Sequence, residues 1–164
     1  MKTRSLSFVT MILILALLFS ACSQDSSRMQ DGYYTAEAAS FDMYGWKEYI
    51  TIYVSDNKIV TVEYDAQNAS GFLKSWDMVY MRTMSATAGT YPNEYARAYK
   101  VALLNWQNPD EIEAVQGATA FHNSFQMLAE AAIAQARAGD KQVILIELPS
   151  FESQKTEGKR YEKK

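Results

Sequence analysis

Behind an Asp31-Gly32 turn, Tyr33, Thr35 and Glu37 alternate with Tyr34, Ala36 and Ala38. A period of two is the mark of a half-buried strand. The alternation resumes with Tyr49, Thr51 and Tyr53 set against Ile50, Ile52 and Val54. "SDNK" interrupts it, and Asp56-Asn57 is suited to left-handed turn conformations. Ile59 and Val60 to Tyr64 form the return strand, giving a hairpin with one aliphatic face and one aromatic, polar face. After the polar "AQNASG" the period lengthens. Trp76, Val79, Tyr80 and Met84 fall on one helical side, and Gly89 ends that helix. Pro92 suits the first turn of a second helix carrying Tyr95, Tyr99, Ala102, Leu103 and Trp106, which Pro109 bars from continuing. Phe125, Leu128, Ala129, Ala132, Ile133 and Ala136 make a third amphipathic stripe, capped by Gly139. Gln142 to Leu148 reads as a last strand, apolar enough to be buried. The order β-β-β-α-α-α-β predicts an α+β domain, an antiparallel sheet with three helices packed on one side.

The ends follow different rules. Lys2 and Arg4 precede the uncharged run Phe8 to Phe19, and "SAC" closes it at Cys22, the only cysteine. Basic start, apolar middle and small residues before a cut site are the pattern of a secretory signal. The run is shorter than the ~20 residues of a spanning helix. Residues 1–21 are therefore set aside as signal peptide, 22–30 as a flexible polar tether, 31–150 as the domain and 151–164 as a disordered basic tail. Phe19-Ser20-Ala21-Cys22 resembles the lipobox of bacterial lipoproteins. That resemblance implies a lipidated Cys22 at the mature N-terminus and a domain held on the extracytoplasmic side of a membrane, at the cell surface or in the periplasm.

Catalytic chemistry is poorly supplied. There is one histidine, His122, and no G-x-S-x-G elbow. His122 reads as a surface or helix-start residue. Carboxylates are scattered, which leaves no metal set, and no catalytic residue stands out. Acidic residues exceed basic ones in the domain, with no basic, aromatic-laced patch, so nucleic acid is not an expected partner. The 11 Tyr and 3 Trp suit half-buried sheet surface or a planar ligand equally. One loop invites an anion. In "EAVQGATAFHNSF", Gly117 lets backbone approach closely, Thr119 can cap a helix or donate to phosphate, and helix-start amides favour negative charge. Asn123 or Ser124 is an alternative cap.

Taken together, "DGYYTAEAASFDMYGWKEYITIYVSDNKIVTVEYDAQNASGFLKS", "MSATAGTYPNEY", "VQGATAFHNSF" and "AQARAGD" resemble FMN-binding domains in order and spacing, from Asp31 to Asp140. The nearest variety is the membrane-anchored lipoprotein type, major membrane immunogen-like. The resemblance implies an α+β domain holding FMN, its phosphate at Gly117, Ala118 and Thr119. Tyr44, Trp46 and Tyr91 are placed by position and type to flank the ring. It further implies extracytoplasmic electron transfer with a redox protein or quinone-linked reductase as partner. Many members esterify FMN to a Ser or Thr two residues after the loop Thr. Here that place is Phe121, with Glu113 and Gln116 at two further departures. Phe has no hydroxyl, so the expected attachment is non-covalent. The competing reading is a non-redox surface lipoprotein that keeps the fold as an interaction module.

Overall fold

A computed structural model describes residues 27–149. The signal segment, Cys22 and the basic tail lie outside the described residues. Four strands run β1 (Gly32–Ala38), β2 (Lys47–Ser55), β3 (Lys58–Gln67) and β4 (Ile144–Ile146). Three helices lie between β3 and β4: α1 (Met78–Ala88), α2 (Pro92–Trp106) and α3 (Thr119–Ala138). Single 3-10 turns at Lys74–Trp76 and Pro109–Glu111 join them. The element order and α+β class are those expected from the sequence.

The hairpin turn is set by Asp56 and Asn57, at φ 51° and 62°. Two successive left-handed residues give the turn whose twist matches flanking strands. The register then fixes the faces. Tyr34 and Ala36 of β1 and Ile50, Ile52 and Val54 of β2 are all buried. On the opposite face Tyr33 stacks on Tyr53 at 4.5 Å, and the Thr35 and Thr51 hydroxyls meet at 2.8 Å. The aliphatic face receives α3 through Phe125, Leu128, Ala129, Ala132 and Ala136, each fully buried. Alanines in that stripe let the helix lie close to the strands. Helix α2 covers β3 with Tyr95, Tyr99 and Leu103.

Three details depart from expectation. The sheet order is β3-β2-β1-β4, and β4 pairs with β1 in parallel, so the sheet is mixed. The cause is topological. The Gln30 N–H donates to Ala136 O at 2.8 Å, so α3 ends beside the start of β1, and the chain must set out from there along β1. Second, β4 is a short edge strand rather than a buried one, with Val143 and Leu145 more than half exposed. Third, α1 buries no residue, and Trp76 and Val79, expected on an inward stripe, are 64% and 75% exposed. Its ends are secured locally. The Asp77 carboxylate accepts from the Val79 and Tyr80 amides at 3.0 and 2.9 Å, and Gly89 closes the helix at φ 74°. Ordered packing also begins before Asp31: Met29 is buried and its amide donates to Asn57 Oδ1.

Candidate functional site

Helix α3 starts at Thr119 with Ala118 as its N-cap, and no side chain caps it. Asn123 and Ser124 therefore lie inside the helix. The first helical bond runs from His122 N–H to Ala118 O, so the Thr119 and Ala120 amides face outward from the positive helix end. The Tyr99 hydroxyl braces the preceding loop, accepting from Val115 N–H at 3.1 Å and donating to Ala118 O at 3.3 Å. Gly117, at φ 80°, has a local reason to be glycine. A Cβ there would stand 2.1 Å from the Ala88 carbonyl oxygen at the end of α1. The close approach that glycine permits is thus to backbone. Thr119 is exposed at the first helical position.

Phe121 is buried, 4% exposed, and its ring lies parallel to that of Tyr95, 4.7 Å away. Lys74 Nζ stands 4.4 Å from the Phe121 ring centre, 4.8 Å from that of Tyr80 and 5.9 Å from that of Trp46. Lys74 is only 1% exposed. No ion pair or hydrogen bond among the described residues reaches its ammonium group, whose attraction to three ring faces is the cation–π kind. Burial lowers its pKa, and the charges of Glu48, Asp42 and Asp65 resist that shift.

The scaffold explains why a lysine points inward. Asp65, at the end of β3, accepts from the Ser75 hydroxyl at 2.5 Å and the Ser75 amide at 3.2 Å, fixing the 3-10 turn that carries Lys74. Asp42 accepts from the Tyr44 and Trp46 amides at 2.8 Å each, a local turn that turns Trp46 inward against Tyr80. Glu48 accepts from the Tyr64 hydroxyl at 2.6 Å. Burial raises the Glu48 pKa, while the Tyr64 bond and the Lys74 charge lower it. Burial also holds the Tyr64 hydroxyl well above its usual value, so it stays a donor. A narrow cleft of about 10 Å³, room for a single water, opens beside Glu48, Tyr64, Asp65, Pro92 and Tyr95.

Of the residues singled out from sequence, Trp46, Ala118 and Thr119 come together around the start of α3, with Lys74 and Phe121 as the link. Tyr44 lies on the same side, 58% exposed and close enough to Tyr80 for their charges to interact. Tyr91 is the N-cap of α2 and 37% exposed, with no described ring contact to the cluster. His122, expected at the surface or at a helix start, does lie in the first turn of α3 but faces inward, 9% exposed beside the Tyr99 ring. It belongs to the inner face of the first turn, because α3 begins five residues sooner than an Asn123 cap would have it.

Lys74, Glu48, Tyr80 and Tyr95 were not singled out as site residues. Glu48 carried a signal: in β2 it shares parity with Ile50, Ile52 and Val54, the inward face. Lys74 carried none, since a lysine after a polar loop reads as solvated.

The chain matches no protein-family model. It is 34% identical to a Clostridium perfringens protein of known crystal structure, CPE2226, with a TM-score of 0.71 over 74% of this chain and 99% of that one. It is 38% identical over 133 residues to the 15 kDa lipoprotein of Treponema pallidum (strain Nichols), across 81% of this chain and 93% of the relative. With that identity over more than four-fifths of each sequence, the chain belongs to the family of the 15 kDa lipoprotein.

Proposed function

We propose that this protein is a lipid-anchored, extracytoplasmic domain that binds FMN without a covalent bond and serves electron transfer with a redox protein or quinone-linked reductase. The name of the treponemal relative supports the anchor, which would be Cys22. The observation that carries the ligand is the meeting of two features: an uncapped helix start and, at its first turn, a buried ammonium ion walled by aromatic rings.

Each part of FMN has a chemical counterpart here. The phosphate is matched by the Thr119 and Ala120 amides, the Thr119 hydroxyl and the positive end of α3. A planar ring is matched by the exposed Tyr44 and the half-buried Tyr80, backed by the buried Trp46 and Lys74. Covalent attachment is unmatched, because Phe121 has no hydroxyl and is packed inside. Bound flavin would supply the redox chemistry, while the chain binds it, orients it and sets its electrostatic surroundings. Glu48, held by Tyr64, is near enough for its charge to favour the lysine ammonium.

A second reading has its own observation. Ala88 O occupies the close approach at Gly117, and the Phe121–Tyr95 stack fills the interior where an acceptor would point. Those contacts favour a module that keeps the fold without flavin.

Titration of FMN and of phosphate-free riboflavin separates the readings. Flavin fluorescence should be quenched by the wild-type domain, with riboflavin weaker by roughly tenfold or more, as loss of a charged anchor implies. Lys74→Met should weaken FMN by at least about tenfold yet leave stability within about 1 kcal/mol, because a buried charge with no ion pair is replaced by an apolar chain of similar length. Absence of binding at near-millimolar FMN would decide for the flavin-free module.

A further inference from the structure

The domain has two distinct poles. At one, the incoming chain joins the hairpin turn and the end of α3, through Met29 N–H to Asn57 Oδ1 and Gln30 N–H to Ala136 O, both at 2.8 Å. At the other, the β1–β2 connection and the segment from Phe72 into α1 expose large apolar side chains. Phe41, Met43, Phe72, Trp76, Met78 and Val79 are 48, 72, 42, 64, 56 and 75% exposed. Single exposed apolar residues are ordinary, but a grouping of this kind marks an interaction surface. Helix α1 adds to it, having no buried residue and Arg82 as its only charge.

What covers this pole is indicated by where the chain leaves. Because β4 runs parallel to β1, it ends at the apolar pole, where Ile146 O accepts from Ala39 N–H at 2.8 Å, two residues from Phe41. At least fifteen residues, 150–164, follow Pro149, a reach of up to about 50 Å. They contain Phe151 and Tyr161, and five Lys or Arg against three Glu. Asp42, Asp77 and Glu94 stand around the pole with the opposite charge. A tethered segment acts at roughly millimolar local concentration, which a second copy must exceed. The membrane holding Cys22 is at a disadvantage too. The seven residues from Cys22 to Met29 reach about 25 Å at most, whereas α3 alone sets the poles about 30 Å apart.

We propose that residues 150–164 dock back onto this pole, with Phe151 and Tyr161 as apolar anchors and the basic side chains against Asp42, Asp77 and Glu94. The same two segments carry Tyr44, Trp46, Lys74 and Tyr80, so a docked tail and FMN would compete for this pole, and the docking is read without FMN.

Hydrogen exchange of the chain carrying Cys22→Ser, without residues 1–21, reads the docking directly. In a Phe151→Ala, Tyr161→Ala variant, amides of Met78–Ala88 should exchange about tenfold faster or more, while those of the α3 core stay unchanged. Zero-length carbodiimide coupling should join Lys155 or Lys159 to Asp77 or Glu94 within one chain, in a mixture of isotopically light and heavy protein. Equal α1 exchange in variant and parent overturns the proposal. So do couplings only between light and heavy copies, which would make a second copy the occupant. So does α1 protection seen only with added phospholipid vesicles, which would make it lipid.

Discussion

Helices α1 and α3 are similar in one respect and opposite in another. Both end at a glycine in the left-handed conformation, Gly89 and Gly139, and both sit beside the same cluster of rings. Yet α3 buries nine residues against the sheet, whereas α1 buries none. The helix stop is local chemistry, so it recurs. Packing needs a partner surface, and the aliphatic face of the sheet is already covered by α2 and α3. Helix α1 is left to its Asp77 cap, to contact with Gly117 and to the partly buried Tyr80 and Met84. The difference teaches that a helix can be well specified at its ends and still contribute little to the core.

The largest expected effect tests that difference. Phe125 is fully buried, its ring 5.0 Å from both Tyr64 and Tyr99. Phe125→Ala removes a ring from the centre of the core and should cost roughly 3–5 kcal/mol in urea unfolding. Trp76→Ala removes a larger ring from the α1 side and should change stability by no more than about 0.5 kcal/mol. Comparable losses in the two variants would mean that α1 is packed after all.

Gly117→Ala sharpens the comparison where the two helices touch. The added Cβ must move Ala88 O from 2.1 Å, and alanine resists φ 80°. Both terms together should cost about 1–3 kcal/mol. Since α1 is the lightly held partner, it should give way: its amides should exchange faster than wild type while those of α3 keep their protection. Loss of α3 protection with α1 unaffected would reverse the assignment.

The sequence patterns were informative where the local rule and the tertiary context agreed. The Asp56-Asn57 hairpin, the α3 stripe and the Pro92 start all follow from period and turn chemistry, and all sit against the sheet. The Trp76, Val79, Tyr80 and Met84 spacing is also helical, but periodicity does not say how much surface waits for it: Tyr80 and Met84 turn partly inward, while Trp76 and Val79 stay exposed. The candidate site was legible only in part. Gly117 and Thr119 follow from helix-start chemistry, whereas Ala118 and Trp46 are implied by the family resemblance. Lys74 is turned inward by Asp65 acting through Ser75, a contact across ten residues that no period encodes.

The smallest effect concerns His122, which sits on the inner face of α3 where α1 has nothing comparable. Its Nδ1 is buried with no hydrogen-bond partner, and burial lowers its pKa from 6.5. Below pH 6.5 the unfolded chain takes up this proton while the folded chain does not. Linkage then makes stability fall with pH until the folded value is passed, and constant in this term below it. Glu48 has the opposite sign. Its pKa is raised above 4.5, so the folded chain keeps a proton that the unfolded chain releases, and its term grows as pH falls towards 4.5. The measured slope sums these terms with that of Lys74, whose pKa burial also lowers, which is why the single-residue variant matters. Urea unfolding of His122→Leu, from about pH 7.5 to about pH 5, should show a shallower decline than wild type, or a rise as Glu48 acts alone. Parallel curves for the two proteins would show that His122 does not titrate differently on folding, and that its burial carries no pH dependence.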